Sequence, residues 1–194
     1  SLSEYYNQWQ LVALICGLLA LAASVVLFER GRRGQALVLL AIGAFMLRLF
    51  AAWLDPFLNL WDEQFHALVA KNMLSRPLMP TLYEHPLPEY DYRDWTANHV
   101  WLHKPPLALW QMALSYQLTG ATEFSTRAPS IVLGTALVWV VYRLGKLLAG
   151  SAAGFYAAFL LSLAVYQLRL VAGAHATDHV DVASADDGNQ PAAR

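Results

Sequence analysis

Four long apolar stretches alternate with short polar segments along the chain. They cover residues 9–28, 36–54, 130–148 and 152–174, and the basic residues that interrupt them (Arg48, Arg143, Lys146 and Arg169) lie near their far ends. A helix of about 20 mainly apolar residues spans the roughly 30 Å hydrocarbon core of a bilayer. The pattern therefore predicts an all-α integral membrane protein with about four transmembrane helices.

The composition supports this fold class and excludes others. Of the 194 residues, 57% are hydrophobic and only 14% are charged, whereas charged residues make up about 25% of a soluble domain. The formal net charge of -1 removes the electrostatic basis of nucleic-acid binding. The single cysteine, Cys16, excludes an intrachain disulfide.

Basic residues gather in two short segments, at residues 29–34 and 143–146. Because short loops rich in Lys and Arg stay cytoplasmic, both segments are predicted to face the cytoplasm. All six histidines and every acidic residue except Glu29 then lie on the outer side or at its interface, where the chemistry is expected. The predicted organisation is two spans with a cytoplasmic basic loop (1–54), an extracytoplasmic loop with juxtamembrane helices (55–129), two further spans with a second acidic outer loop (130–182) and a disordered tail (183–194).

The outer loop begins with a pair of acidic residues, Asp62 and Glu63, which follow Trp53 and Trp61. Tryptophan prefers the headgroup level of a membrane, so the two carboxylates are expected close to the membrane surface. Carboxylates in such a place often act as general bases or cation ligands. An alternative is that Asp62 caps a helix that begins near Glu63.

Two helices are predicted within this outer loop. Apolar residues recur on one helical face over residues 63–75, which indicates an amphipathic interfacial helix. A second helix is predicted to start at Pro106, directly after His103 and Lys104. An ammonium group beside a helix N-terminus favours phosphate binding. The alternative is a lysine that extends to the lipid headgroups.

A second acidic segment follows the last apolar stretch. His175, Asp178, His179 and Asp181 lie within two turns of a continuing helix, a spacing that is compatible with a divalent metal ion. A plain outer loop is the alternative interpretation. A transporter is disfavoured because none of the four apolar stretches carries an acidic residue.

The order of these motifs resembles one family of membrane enzymes. The series comprises Trp61-Asp62-Glu63 after a span, the run from His103 to Trp110, the run from Gly120 to Pro129, and Thr177-Asp178. It is similar to the GT-C membrane glycosyltransferases, and more narrowly to the protein O-mannosyltransferase and lipid A aminoarabinose transferase branch. The resemblance covers about residues 60–181.

The resemblance implies the inverting transfer of a sugar from a polyprenyl-phosphate carrier to an acceptor hydroxyl. Asp62 looks like the general base of this family and Asp178 like its second acidic residue, with Glu63 in a supporting role. Lys104 and His103 would bind the phosphate of the donor. The acceptor would be a lipid, a glycan or a protein at the periplasmic face of a bacterial inner membrane, with membrane lipids as further partners. No cofactor is implied with certainty, and a divalent metal ion held by His175, His179 and Asp181 is the option left open.

This chain departs from the family pattern in several places. Relatives in the aminoarabinose branch carry Arg near the position of Phe65 and Glu at that of His103, and they lack the extra span at residues 9–28. They also continue through many more spans, which implies that this chain corresponds to an N-terminal portion of such an enzyme. The isolated chain would then be inactive if sugar transfer needs the later spans. The competing hypothesis is a non-catalytic membrane protein whose outer face, rich in His and Asp, binds a metal ion or a partner.

Overall fold

The computed structural model describes residues 7–60, 62–83, 89, 91, 93, 99–101, 106–164 and 168. These residues contain no strand and one isolated bridge, between Thr81 and Val100. The helices are α1 (Gln8–Glu29), α2 (Arg33–Ala52), α3 (Asp62–Asn72), α4 (Pro106–Thr119) and α5 (Glu123–Leu163). Helices α1, α2 and α5 are long and apolar enough to cross a bilayer, which confirms the all-α membrane class.

Helices α1 and α2 pack closely because glycines line their contact. A Cβ atom on Gly43 would lie 2.7 Å from Leu21 Cγ and 3.0 Å from the carbonyl oxygen of Gly17. Small residues allow two helix backbones to approach, which is the main route to tight helix association in a membrane. Gly31, at φ 78°, supplies the left-handed conformation that reverses the chain between the two helices.

Helix α5 folds back on itself at Gly150, where the backbone is non-helical (φ 87°). A Cβ atom on Gly145 would lie 2.6 Å from Gly154 Cα, whereas nine residues of a continuous helix extend about 13.5 Å. Among the described residues the long apolar helices therefore number three instead of about four, because α5 joins the third predicted span to the start of the fourth. Its second limb is described to Leu163, and most of the remaining predicted span lies outside the described residues.

Replacing Gly154 with alanine is expected to destabilise this helical hairpin. The added Cβ would lie 2.5 Å from the carbonyl oxygen of Tyr142 and 2.6 Å from the amide nitrogen of Lys146, both backbone atoms. Overpacking of this kind costs roughly 1–3 kcal/mol, which should lower the melting temperature measured by circular dichroism in detergent. Gly34→Ala is the control, because nothing lies within 4 Å of the new Cβ there. Equal melting temperatures for the two variants would contradict the close packing.

The two basic segments lie at the same end of the helix bundle. Tyr156, near the start of the second limb of α5, donates a 2.5 Å hydrogen bond to Glu29 Oε1 at the end of α1. This contact brings the basic turn at residues 30–33 close to the turn of α5 that follows residues 143–146. The predicted orientation requires the two segments to share one end of the bundle, and the side of the membrane that they face stays a prediction.

The opposite end of the bundle joins the first residues of α1 and α5 to the last residues of α2. It is called the outer end below, after the orientation that the sequence predicts. The side-chain amide of Gln10 donates a hydrogen bond to the carbonyl oxygen of Trp53. The ring of Trp53 lies 6.1 Å from that of Phe124, measured between centroids. The outer end is therefore the part of the bundle from which the segment leading to α3 departs.

Helices α3 and α4 form a small separate core with the chain that connects them. The amide of Leu82 donates to the carbonyl of His99 (2.9 Å) and the amide of Trp101 donates to that of Pro80 (2.8 Å). Asn72 at the end of α3 binds the carbonyl of Leu82 through its side-chain amide (3.1 Å). The buried apolar residues of this core are Val69, Met73, Leu82, Trp101 and Leu109. The core holds α3 in a fixed position beside the bundle.

Candidate active site

The most extensively bonded polar group at the outer end is the guanidinium of Arg127, near the start of α5. Arg127 Nε donates to Glu63 Oε1 (2.8 Å) and Nη2 to Glu63 Oε2 (3.1 Å). The remaining N–H groups donate to the carbonyls of Ala52 (2.8 Å), Asp55 (2.6 Å) and Phe57 (2.8 Å). All five donors of the guanidinium are thus used, with both charged side chains almost fully buried. Arg127 therefore holds the chain segment that connects α2 to α3.

Glu63 is bonded as completely as its arginine partner. Besides the two bonds from Arg127, Glu63 Oε2 accepts the backbone amide (2.7 Å) and the side-chain amide (2.9 Å) of Asn59. A carboxylate that is buried, paired and hydrogen-bonded in this way is well suited to fixing the backbone around it. These bonds fit the supporting role that the family resemblance implies for Glu63.

Asp62, the predicted general base, is the first residue of α3 and is half-buried. Asp62 directly precedes Glu63 in the chain. The ion pair between Glu63 and Arg127 therefore also fixes the backbone position from which the Asp62 side chain extends. Negative charge in the first turn of a helix is stabilised by the helix dipole. The capping interpretation placed Asp62 before the helix, whereas the structure includes it as the first helical residue.

His66 lies one turn after Asp62 on α3 and is buried. Its ring meets that of Trp101 edge-on, with the centroids 6.0 Å apart. Residues four apart on a helix share a face, so His66 and Asp62 lie on the same side of α3. The sequence pattern gave His66 only as a polar position of an amphipathic helix.

Tyr116 connects α4 to α5 behind this face of α3. It packs with Ala67 and Ala70 of α3, and its hydroxyl shares a 2.7 Å hydrogen bond with Thr126 Oγ1. Burial raises the pKa of Tyr116 above its ordinary value of 10.0; the Thr126 bond opposes this, and the negative charge of Glu63 adds to it. Helices α3, α4 and α5 are thereby tied together.

Replacing Tyr116 with phenylalanine is expected to cost about 1 kcal/mol of stability near neutral pH, because the buried hydrogen bond between its hydroxyl and Thr126 Oγ1 is lost. The folded pKa is raised, so the stability that protonated Tyr116 contributes is fully present below the unfolded pKa of 10.0 and is lost as the pH rises through the folded pKa. The difference in melting temperature between the wild type and Tyr116→Phe should therefore shrink at strongly alkaline pH. A difference that grows with pH would contradict this assignment.

The other predicted site residues lie outside the described residues. These are His103, Lys104, His175, Asp178, His179 and Asp181, and the predicted disordered tail lies there as well. Of the predicted site the structure describes Asp62 and Glu63. Within the described part of the chain no group of three His, Cys, Asp or Glu side chains has the arrangement of a metal site.

Sequence reasoning noted Arg127 only as one letter of a motif and missed its bonding role. The available signal was an arginine directly before Ala128-Pro129 at the head of an apolar stretch. An ionisable residue at such a position needs a partner. The sequence alone does not show that the partner is Glu63, which is 64 positions away.

Residues 103–185 match the model of the dolichyl-phosphate-mannose-protein mannosyltransferase family. The match confirms the resemblance to GT-C membrane glycosyltransferases and covers less than half of the 194 residues. It includes α4, α5 and the positions of Lys104 and Asp178, but it does not include α3. No curated protein and no solved structure matches the chain significantly.

Proposed function

We propose that this chain, whose residues 103–185 match the mannosyltransferase family, is a glycosyltransferase or the N-terminal part of one. It transfers a sugar from a polyprenyl-phosphate carrier to an acceptor hydroxyl at the outer face of the membrane. The structural observation that supports the proposal is the position of Asp62. This half-buried carboxylate opens α3 directly beside the buried Glu63–Arg127 pair, at the outer end of the bundle.

The reaction makes and breaks one bond at the anomeric carbon of the sugar. Asp62, as the carboxylate, accepts the proton of the acceptor hydroxyl, whose oxygen forms a new bond to the anomeric carbon. The bond from that carbon to the phosphate oxygen breaks at the same time, and the electron pair leaves with the polyprenyl phosphate. Attack opposite the leaving group inverts the anomeric configuration.

The departing phosphate gains negative charge and needs a cation beside it. Lys104, which the sequence places two residues before α4, is proposed to supply this charge, with His103 next to it. Asp178 is proposed as the second acidic residue of the site. Glu63 then acts through its bonds to Arg127 and Asn59, which fix the start of α3.

The experiment that tests this function uses membranes from cells that express the 194-residue chain. They are incubated with polyprenyl-phosphate donors that carry a radiolabelled sugar, mannose and aminoarabinose in parallel, and the label is followed into lipid, glycan and protein fractions. Transfer above that of membranes without the chain, with an inverted anomeric configuration in the product, is expected. No transfer from either donor, together with saturable zinc binding by the purified chain, would favour the metal-binding alternative.

A further inference from the structure

A cleft of about 350 Å³ opens at the outer end of the bundle, between the starts of α1 and α5 and the end of α2. Its lining is mainly apolar and includes the aromatic residues Trp9, Trp53 and Phe124, together with the acidic residues Asp55 and Glu123. It does not include Asp62. The cleft is therefore distinct from the proposed catalytic carboxylate, although both lie at the outer end.

The charge of this cleft is negative. Among the residues that the structure describes, neither lysine nor arginine lines it. Arg127, which bonds to the carbonyls of Ala52 and Asp55, is paired with Glu63. The side chain of Asp55 uses Oδ1 to accept the amide of Phe57 (2.9 Å). Its other carboxylate oxygen has no hydrogen-bond donor among the described residues.

The helix N-termini beside the cleft are capped by side chains. Asn7 Oδ1 accepts the amide of Trp9 (2.7 Å) at the start of α1, and Thr122 Oγ1 accepts the amide of Ser125 (3.1 Å) at the start of α5. Their free N–H groups are reduced, which weakens the attraction that an uncapped N-terminus has for anions. At the end of α2, the helix carbonyls contribute partial negative charge.

The aromatic rings fix the depth of the cleft in the membrane. Trp9 is 71% exposed and stands at the start of a membrane span, and Trp53 stands at the end of the next. Tryptophan at both positions is typical of the headgroup level. A phospholipid headgroup reaches this level without leaving the membrane.

We propose that the cleft binds the headgroup of an ammonium-bearing phospholipid, with phosphatidylethanolamine as the occupant. The ammonium group would donate charge-assisted hydrogen bonds to Asp55 and Glu123 and lie against the aromatic rings, whose faces attract cations. The glycerol and acyl parts would cover the apolar walls. This site stands independently of sugar transfer, since it uses neither Asp62 nor the residues proposed to bind phosphate.

Native mass spectrometry of the full chain in detergent tests the proposal. The protein is titrated with phosphatidylethanolamine and, separately, with phosphatidylglycerol of the same acyl chains. The wild type is expected to bind the first phosphatidylethanolamine about tenfold more tightly than phosphatidylglycerol. The double variant Asp55→Asn with Glu123→Gln is expected to lose this preference, while Asn at position 55 retains the acceptor for Phe57.

Two further variants distinguish lipid binding in the cleft from a general effect of negative charge on the protein. Glu89→Gln with Asp91→Asn removes two exposed carboxylates elsewhere in the outer segment and is expected to retain the wild-type preference. Trp9→Leu, which changes an exposed ring at a helix start, is expected to weaken phosphatidylethanolamine binding about threefold. Equal binding of the two lipids by the wild type, or an unchanged preference in the Asp55 and Glu123 double variant, would overturn the proposal.

The source of the ammonium group is tested in the same titration. Glycerophosphoethanolamine has the same headgroup without acyl chains, and it is expected not to displace the bound lipid at equal concentration. Displacement at that concentration would identify the cleft as a site for a soluble amine and overturn the assignment to a lipid.

Discussion

The variant Asp62→Asn is expected to transfer sugar about 10²- to 10⁴-fold more slowly than the wild type, because positioned base catalysis contributes a factor of that size. Asparagine has nearly the shape of aspartate but does not accept a proton at neutral pH. It leaves the Glu63–Arg127 pair intact, and it removes a negative charge that the dipole of α3 stabilises in the first turn. The loss should therefore appear in the rate and not in the fold.

The measurement is the initial rate of label transfer from the polyprenyl-phosphate sugar at equal protein levels, with melting temperatures recorded for each variant. Asp91→Asn is the matched control, since Asp91 is an exposed aspartate of the same outer segment. Its Oδ1 accepts the amide of Arg93 (2.9 Å), a bond that asparagine also makes. Transfer by Asp62→Asn at the rate of Asp91→Asn would exclude Asp62 as the base.

The spans could be predicted from the sequence because a bilayer acts on the average polarity of about 20 consecutive residues. Helices α1 and α2 lie close to the apolar stretches that predicted them. The third predicted span begins at residue 130, after Arg127, whereas α5 begins seven residues earlier, at Glu123. Arg127 is nevertheless inside the helix, since Glu63 and three backbone carbonyls neutralise its cost.

Arg48 shows the same limit of a pattern-based prediction. It interrupts the second apolar stretch, and the sequence gives no indication of where its charge goes. In the structure its side chain is fully buried and passes over Gly134 of α5, where a Cβ atom would lie 2.6 Å from Arg48 Nε. The absence of a side chain at Gly134 makes room for the Arg48 side chain. The two residues are 86 positions apart, and no periodic pattern in the sequence connects them.

The candidate site was predictable to the extent that its residues are neighbours in sequence. Asp62 and Glu63 could be singled out as an adjacent acidic pair behind a span. Their different environments could not be predicted from the sequence. Adjacent side chains on a helix point in directions about 100° apart around its axis, so neighbours in sequence do not share surroundings. Glu63 faces Arg127 and is buried, whereas Asp62 remains half-exposed. Glu63 can therefore serve as a positioning residue and Asp62 as a candidate base, because their side chains leave the helix in different directions.

The largest effect on stability is expected from Arg127→Met. Removing the guanidinium leaves the Glu63 carboxylate buried without its cation and the carbonyls of Ala52, Asp55 and Phe57 without donors. Breaking a buried ion pair from one side costs roughly 3–5 kcal/mol, a large share of the roughly 5–15 kcal/mol that stabilises a typical protein. The segment between α2 and α3 should loosen first, so sugar transfer should fall with the melting temperature.

A second substitution distinguishes the unpaired charge from simple loss of packing. In the Arg127→Met background, Glu63→Gln removes the buried negative charge but keeps an oxygen that accepts the amides of Asn59. The double variant is therefore expected to be more stable than Arg127→Met alone, and the deviation from additivity measures the coupling of the pair. Arg143→Met, at an exposed position on the same helix, is the control and should change stability by less than about 0.5 kcal/mol. If Arg127→Met and Arg143→Met melted at the same temperature, the ion pair would not be what holds the segment between α2 and α3 in place.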